Sequence, residues 1–359
     1  MPIPRTSVYT GPANETIERS ESSAMTDSDP VNGLRPGMRA VVRRRIDGGV
    51  TDALGDVVAI EADTVSVRTR RGVEVIDRVA VVAAKEVPPR PARRGAPHLA
   101  ISMHDLERVM VEGWPPLERA QLGGWLLRAG AGFTGRANSV LPLGDPGVSL
   151  SEAIDHCESW YDERGLRRLF ALFGPAGFAV DDDLLGLGLL ARGYEPFNNT
   201  VVLTAATRAL APELPRPGGA QVRLEAAPSP QWWDAWAAQN GRTDSANTEH
   251  TNAATPAVRA VMSGSADQLF ASLELDGDVA GIARVAFAQG WAGVFAVRVA
   301  PEHRRTGIAV QLMGALADAS RSRGIRSMYL QVLKASSPAR GLYEQLGFST
   351  HHEYRYLAM

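Results

Sequence analysis

The hydrophobic pattern of this chain changes period repeatedly, and each change marks an element. ASLELDGDVAGIARVAFAQGWAGVFAVRV alternates or runs apolar in three segments and predicts an antiparallel meander, with a favoured hairpin dipeptide, Asp276-Gly277, at its first turn. Its last strand delivers Val297 to Val299 to a basic, glycine-containing loop. A period of 3.6 then takes over: Ile308, Leu312, Ala315, Leu316 and Ala319 form one apolar helical stripe. IRSMYLQV reads as a strand. LYEQLGF reads as part of a helix with Ser337 as N-cap, Pro338 in the first turn and Gly347 at the end. Upstream of the meander, one helix runs through Trp232, Trp233 and Trp236 and another lies around Ala257 to Met262. The polar run TDSANTEHTN between them is a candidate lid over a binding site.

Between His98 and Ala206 the pattern predicts a helix from Leu106 to Val111 and strands in GGWLLRAG, ANSVLPLG and LRRLFALF. It also predicts a helix from Ser151 to Arg164, and another beginning at the acidic cap Asp181 to Asp183. ARGYEPFNNTVVL aligns with QLGFSTHHEYRYL at the end of the chain, Gly193 opposite Gly347 and Tyr194 opposite Phe348, so this stretch reads as a second copy of the C-terminal fold. From Gly33 to Pro88, short β-rich runs separated by Gly and Asp turns predict a small SH3-like barrel. PPRPARRGAP then reads as a semi-rigid linker. The first 30 residues have no apolar period and cannot offset chain entropy by burial. The expected organisation is a disordered tail over 1–30, the barrel over 31–90, a linker over 91–97, a degenerate half over 98–206 and an intact half over 219–359.

Charge changes this picture little. The net charge is -2 with 22% charged residues, which argues against a whole-chain nucleic-acid or membrane partner, and no window has the length and apolarity of a membrane span. Residues 31–97 hold 13 Arg and Lys against 8 Asp and Glu, a surplus of five, clustered at Arg43, Arg44, Arg45 and at Arg68, Arg70, Arg71. Without aromatic residues for base stacking, that surplus reads as a solvated face or a surface against the next domain. Cys157 is the only cysteine, so an intrachain disulfide and a thiolate metal cluster are both excluded and a reducing cytoplasm is the expected compartment. No metal is expected, and a homodimer is compatible with the chain. His156, Cys157, Trp114, Trp125 and Trp160 read as packing residues. In GFTGRANSV, Arg136 and Asn138 begin a strand that would face a cleft between the halves.

The loop after Val299 carries the chemistry. Arg304, Gly307 and Ala309 spell Arg-x-x-Gly-x-Ala, and no other Arg in the chain begins that pattern. A residue without Cβ lets the backbone approach an anion while the first free helix amides point at it. With LYEQLGF, this loop resembles the two signature motifs of the GNAT superfamily of acyl-CoA-dependent N-acetyltransferases. The full order resembles actinobacterial tandem GNAT proteins with an N-terminal SH3-like domain.

The resemblance implies an α+β fold, a mixed α/β GNAT fold in tandem copies, preceded by a small all-β barrel. It implies acetyl-CoA as acyl donor and an unidentified amine, of a small molecule or peptide, as acceptor. Backbone at Val297, Arg298 and Val299 would hold the acetyl and pantetheine end, and Arg304, Arg305, Thr306, Gly307, Ile308, Ala309 and Val310 the pyrophosphate. Pro301 would splay the strand and open a slot for the thioester arm. Tyr343 matches the tyrosine that commonly protonates the departing thiolate, its ordinary pKa of about 10 suiting a thiol. Ser336 stands where many relatives have Asn, and Gln331 where certain relatives have a glutamate base. Glu302, Glu249, His250, His303, His351 or a water chain remain as proton acceptors.

PLGDPGVSLSEAI occupies the equivalent loop of the middle half. There Asp145 and Glu152 bring negative charge, and Pro142 and Pro146 delete amides, so one acetyl-CoA per chain is expected. Deletion of residues 1–206 is expected to leave donor binding partly intact but to destroy acceptor use or solubility. A second reading, from another class, is a non-catalytic acyl-CoA sensor whose basic barrel binds a protein or nucleic acid.

Overall fold

Alternation of small β-branched residues with polar ones builds the first fold unit. In the computed structural model, which describes residues 29–69, 72–87, 97–210, 221–240 and 255–359, the chain divides at Pro89/Arg90 into two units. The first holds β1 (Arg39–Ile46), β2 (Gly49–Ile60), β3 (Thr64–Thr69), β4 (Gly72–Asp77) and β5 (Val81–Glu86). Every second side chain, among them Val42, Val57, Val65 and Val67, enters its core. Its five-stranded sheet has the order β4-β3-β2-β1-β5. No ladder joins β4 to β5 among the described residues, so the expected barrel is an open sheet of five antiparallel strands. Arg43 pairs with Asp52 at 2.8 Å and Arg44 with Glu74 at 2.6 Å, which neutralises part of the basic cluster, while Arg70 and Arg71 lie outside the described residues.

The second unit begins with α1 (Met103–Gly113), β6 (Glu118–Leu122), β7 (Trp125–Ala129), β8 (Leu141–Pro142), α2 (Leu150–Asp162), β9 (Leu169–Gly174), α3 (Leu184–Ala191) and β10 (Glu195–Ala206). It continues with β11 (Gln221–Glu225), α4 (Pro230–Asn240), α5 (Pro256–Met262), β12 (Gln268–Leu275), β13 (Asp278–Ala288), β14 (Trp291–Val299), α6 (Ile308–Ser322), β15 (Ser327–Leu333), α7 (Ser337–Gln345) and β16 (Ser349–Ala358). An eight-stranded sheet, ordered β11-β12-β13-β14-β15-β10-β16-β9, runs through both expected halves, and β6-β7-β8 form a second small sheet.

The order reveals an exchange of strands. β10, the last strand of the middle half, lies between β15 and β16 of the C-terminal half, and β16 in turn pairs with β9. Each stretch thus completes its sheet with the other's final strand. Residues 207–359 alone would leave β15 and β16 without their shared neighbour, which argues against the expectation that they retain donor binding.

Two apolar layers cover the faces of this sheet. On one, Ile308, Leu312 and Leu316 of α6 and Tyr343 of α7 pack on Val294, Leu330 and Val332. On the other, α1, α4 and α5 cover Phe295 and Tyr329. The alternation along β15 (Tyr329 and Gln331 to one face, Leu330 and Val332 to the other) places two environments on opposite sides of one strand. Two local expectations change. ANSVLPLG forms a strand only at Leu141–Pro142, because Asn138 takes the preceding segment into a hydrogen-bonded loop. The N-cap of α7 is Ser336, and Ser337 is its first residue.

Candidate active site

The loop that follows β14 is fixed before it reaches the helix. Ala300 N–H donates to Ala280 C=O at 2.9 Å, Thr306 Oγ1 to His303 C=O at 2.6 Å, and Arg304 Nε to Val299 C=O at 3.4 Å. Arg305 takes a left-handed φ of 64°, which a non-glycine residue holds only when its surroundings impose it. Gly307, at φ 87°, is the N-cap of α6, and a Cβ there would meet nothing within 4 Å. Gln311 N–H is the first to reach back, to Gly307 C=O at 3.1 Å, which leaves the amides of Ile308, Ala309 and Val310 as the orphan donors of the first turn. Arg304 and Arg305 are exposed beside them. Ile308 is buried against β13, where a Cβ on Gly281 would stand 2.6 Å from Ile308 Cγ2. The first turn is therefore rigid, open and cationic, as a pyrophosphate site requires.

β14 and β15 are parallel neighbours only from Trp291 to Val294, opposite Ser327 to Leu330. Beyond that point β15 stays paired to β10 as far as Leu333 while β14 leaves it. The split coincides with a bulge: β13 and β14 shift register between Ile282 and Arg284, and Ala296 has φ 51°. The expected slot is present, but it opens six residues before Pro301, so the bulge and not the proline sets it. Val297, Arg298 and Val299 form the open β14 edge, and burial holds the Arg298 guanidinium below its ordinary pKa.

Tyr343 is 9% exposed. Phe348 N–H donates to Tyr343 C=O and Gly347 N–H to Glu344 C=O, each at 3.0 Å, with Gly347 at φ 85°. This Schellman closure of α7 brings the Phe348 ring to 6.0 Å from that of Tyr343 and fixes the phenol on the α6 face of the sheet. Burial pushes its pKa up to about 12, so the matched basicity expected with a thiol is lost and the phenol stays protonated. Ser336 makes no side-chain cap bond and is half-buried at the end of β15.

Across the sheet, beside the split, α1, β15 and β16 enclose a cavity lined by Glu107, Trp114, Arg136, Gln331 and Tyr354 among others. Tyr354 Oη donates to Gln331 Oε1 at 2.8 Å. Glu107 and His352, both buried, meet at 2.9 Å through His352 Nε2; His352 Nδ1 lies 2.7 Å from His351 Nδ1, and His351 Nε2 lies 3.0 Å from Ile101 C=O. A carbonyl only accepts, so His351 donates from Nε2 and accepts at Nδ1 from His352 Nδ1–H. His352 Nε2 is then left to hydrogen-bond the Glu107 carboxyl group. Burial, and next the neighbouring His352, lowers His351 to about 4, so His351 is neutral and commits its one proton to Ile101. Of the other expected acceptors, Glu302 and His303 lie on the cradle loop and Glu249 and His250 outside the described residues. Sequence reading missed Glu107 and His352. The one visible signal was a carboxylate next to Leu106 on the apolar stripe of α1, a position costly without a partner.

Residues 101–357 match the family model described as probable histone acetyltransferase Rv0428c C-terminal. The chain is 30% identical over 342 residues to the probable histone acetyltransferase Rv0428c of Mycobacterium tuberculosis, across 89% of this chain and 94% of that protein. The chain belongs to this GNAT family. Uncharacterized N-acetyltransferase YobR of Bacillus subtilis is 26% identical over 253 residues, 70% of this chain and 96% of its own. Two solved structures share the GNAT fold at 14% identity: a GCN5-related N-acetyltransferase from Kribbella flavida (TM-score 0.53, 72% of this chain and 96% of that one) and a tandem GNAT protein from the clavulanic acid biosynthesis pathway (TM-score 0.51, 74% and 90%). The protein is thus a GNAT-type N-acetyltransferase, for which acetyl-CoA is the acyl donor. Among the described residues no group of three or more His, Cys, Asp or Glu is placed to hold a metal, and no helix is long and apolar enough to cross a membrane.

Proposed function

We propose that the C-terminal half catalyses direct transfer of the acetyl group from acetyl-CoA to the amine of a small molecule or peptide. The observation that carries this reading is the coincidence of a bare, glycine-capped first turn on α6 with the split between β14 and β15. Amides of Ile308 to Val310, with Arg304, Arg305, Thr306 and Gly307, take the pyrophosphate; the backbone of Val297, Arg298 and Val299, on the side of β14 that has parted from β15, takes the pantetheine arm, and Ser336 borders it. An arm threaded through the split brings its thioester toward the cavity on the far face.

The amine nitrogen attacks the acetyl carbonyl carbon, a C–N bond forms, the C–S bond breaks, and sulfur gains the proton that nitrogen gives up. Tyr343 donates a hydrogen bond to the departing sulfur. At a pKa of about 12 it is a weaker acid than a free phenol, so it acts as a fully protonated donor across the neutral range. The test is acetyl-CoA-dependent release of free CoA in the presence of a panel of amines, amino acids and peptides. Acceptor-dependent release supports the reading; acetyl-CoA binding without release for any acceptor would turn the protein into a sensor.

A further inference from the structure

The segment GFTGRANSV is not used by the donor site, yet the fold positions it with unusual care. Asn138 satisfies all four of its side-chain hydrogen bonds there: its Oδ1 accepts from Gly130 N–H and Gly132 N–H, each at 2.8 Å, and its Nδ2 donates to Phe133 C=O at 2.8 Å and Thr134 C=O at 2.9 Å. Trp114 Nε1–H donates to Thr134 Oγ1 at 2.9 Å. Gly135 lies so close to the Tyr356 ring that a Cβ would stand 2.6 Å from Tyr356 Cζ. The residue these contacts present is Arg136.

Its half-buried guanidinium lies 4.8 Å from the Trp114 ring and 5.6 Å from that of Phe295 and borders the cavity, with no hydrogen bond or ion pair among the described residues. Nearby positive charge is not balanced either. Arg128 is spent on Ser139 C=O and Oγ, and the wholly buried Arg284 donates to Gln268, Gly113 and Ser265, none of them a carboxylate. The one carboxylate lining the cavity, Glu107, is held by His352. A half-buried guanidinium with no carboxylate paired to it is costly until an anion arrives, and a carboxylate matches its planar fork with two parallel hydrogen bonds.

We propose that the acceptor is a small amine bearing a carboxylate, of the amino-acid class, and that Arg136 binds that carboxylate. This rests on the acetyltransferase reading for the fate of the amine but not for the binding. Phe295, whose ring lies 5.6 Å from the Arg136 guanidinium, directly precedes the bulge at Ala296 where β14 parts from β15, which sets the guanidinium close to the split that would receive the thioester. A lysine- and arginine-rich peptide meets like charge at the same place and is disfavoured.

The experiment is calorimetry on the full chain saturated with CoA, titrated with the common free amino acids, short ω-amino acids and the amide of each, beside a lysine-rich peptide. At least one acid binds, its amide binds about 10- to 100-fold more weakly, and Arg136→Gln removes the difference. Arg136→Lys restores part of it, which a merely structural role would not do. Equal affinity for every acid and its amide, none for either, or preference for the peptide overturns the proposal. CoA release from acetyl-CoA in the same acid's presence keeps the two claims apart: a bound acid that is never acetylated leaves the Arg136 site standing and removes the acetyltransferase reading.

Discussion

Helices α2 and α6 hold equivalent places in the two halves, and they finish alike. After α6, Gly324 (φ 73°) turns the chain and Ile325 N–H returns to Ser320 C=O at 3.0 Å; after α2, Gly165 (φ 59°) turns it and Leu166 N–H returns to Tyr161 C=O at 3.0 Å. The following helices repeat the match, with Gly193 and Tyr194 closing α3 as Gly347 and Phe348 close α7. The halves part at the first turn. α6 starts on a glycine with no acid in its first turn, whereas α2 starts on Ser149 with a complete capping box. Ser149 Oγ accepts from Glu152 N–H, and the Glu152 carboxylate takes both Ser149 N–H at 3.0 Å and Ser149 Oγ–H at 2.6 Å. In α2 an internal carboxylate therefore stands where α6 keeps room for a phosphate. An anion site of this kind amounts to one turn of backbone, and two ordinary side chains are enough to close it.

Removing residues 1–206 tests the comparison most severely. The exchange of β10 and β16 means that the remaining C-terminal half should fail to fold, with no cooperative unfolding transition by circular dichroism and no acetyl-CoA binding. A folded, binding fragment would show that the two halves are separable. Next in size, Gly307→Glu puts a carboxylate at the start of α6, as Glu152 puts one in the first turn of α2. Acetyl-CoA affinity should fall at least about 100-fold by calorimetry, a charge effect in a partly screened site. The cost to folding is about 1–2 kcal/mol for a side chain at positive φ.

Tyr343→Phe should leave acetyl-CoA affinity within about twofold and lower kcat roughly 10²-fold under conditions where chemistry is limiting. An unchanged kcat would assign Tyr343 to packing against Phe348. The smallest effect is expected from Ser149→Ala, which opens the capping box and costs about 1 kcal/mol in chemical denaturation without altering acetyl-CoA binding. Glu152 adds a pH signature. Hydrogen bonds from Ser149 hold its carboxyl below the ordinary value, so its contribution is present above the unfolded pKa of about 4.3 and is lost as pH falls through the lower folded value. The thermal stability gap between wild type and Glu152→Gln should close between pH 5 and the low-pH limit; a constant gap would remove the carboxylate from the account.

Much of this was legible in the sequence because it is local. Gly307, the stripe from Ile308 to Leu316, and the glycine ends at Gly193 and Gly347 act within a turn or two of chain, and residue identity fixes such geometry. The exchange of β10 and β16 was not legible, since either strand satisfies the same alternation beside β15 or β9. The slot was foreseen but assigned to Pro301, because a positive φ at Ala296 has no signature in an alanine. Arg136 is legible in the sequence as facing a cleft, but its meeting with Glu107 and His352 arises only through tertiary packing of α1, β16 and the loop before β8. In sequence each stands alone.

The central claim is that one first turn of two is open to an anion. Equilibrium dialysis of the full chain against labelled acetyl-CoA measures this directly. The account predicts one molecule bound per chain, lost in Gly307→Glu and retained in Ser149→Ala. Two equivalent molecules per chain, or binding that survives Gly307→Glu, would contradict it.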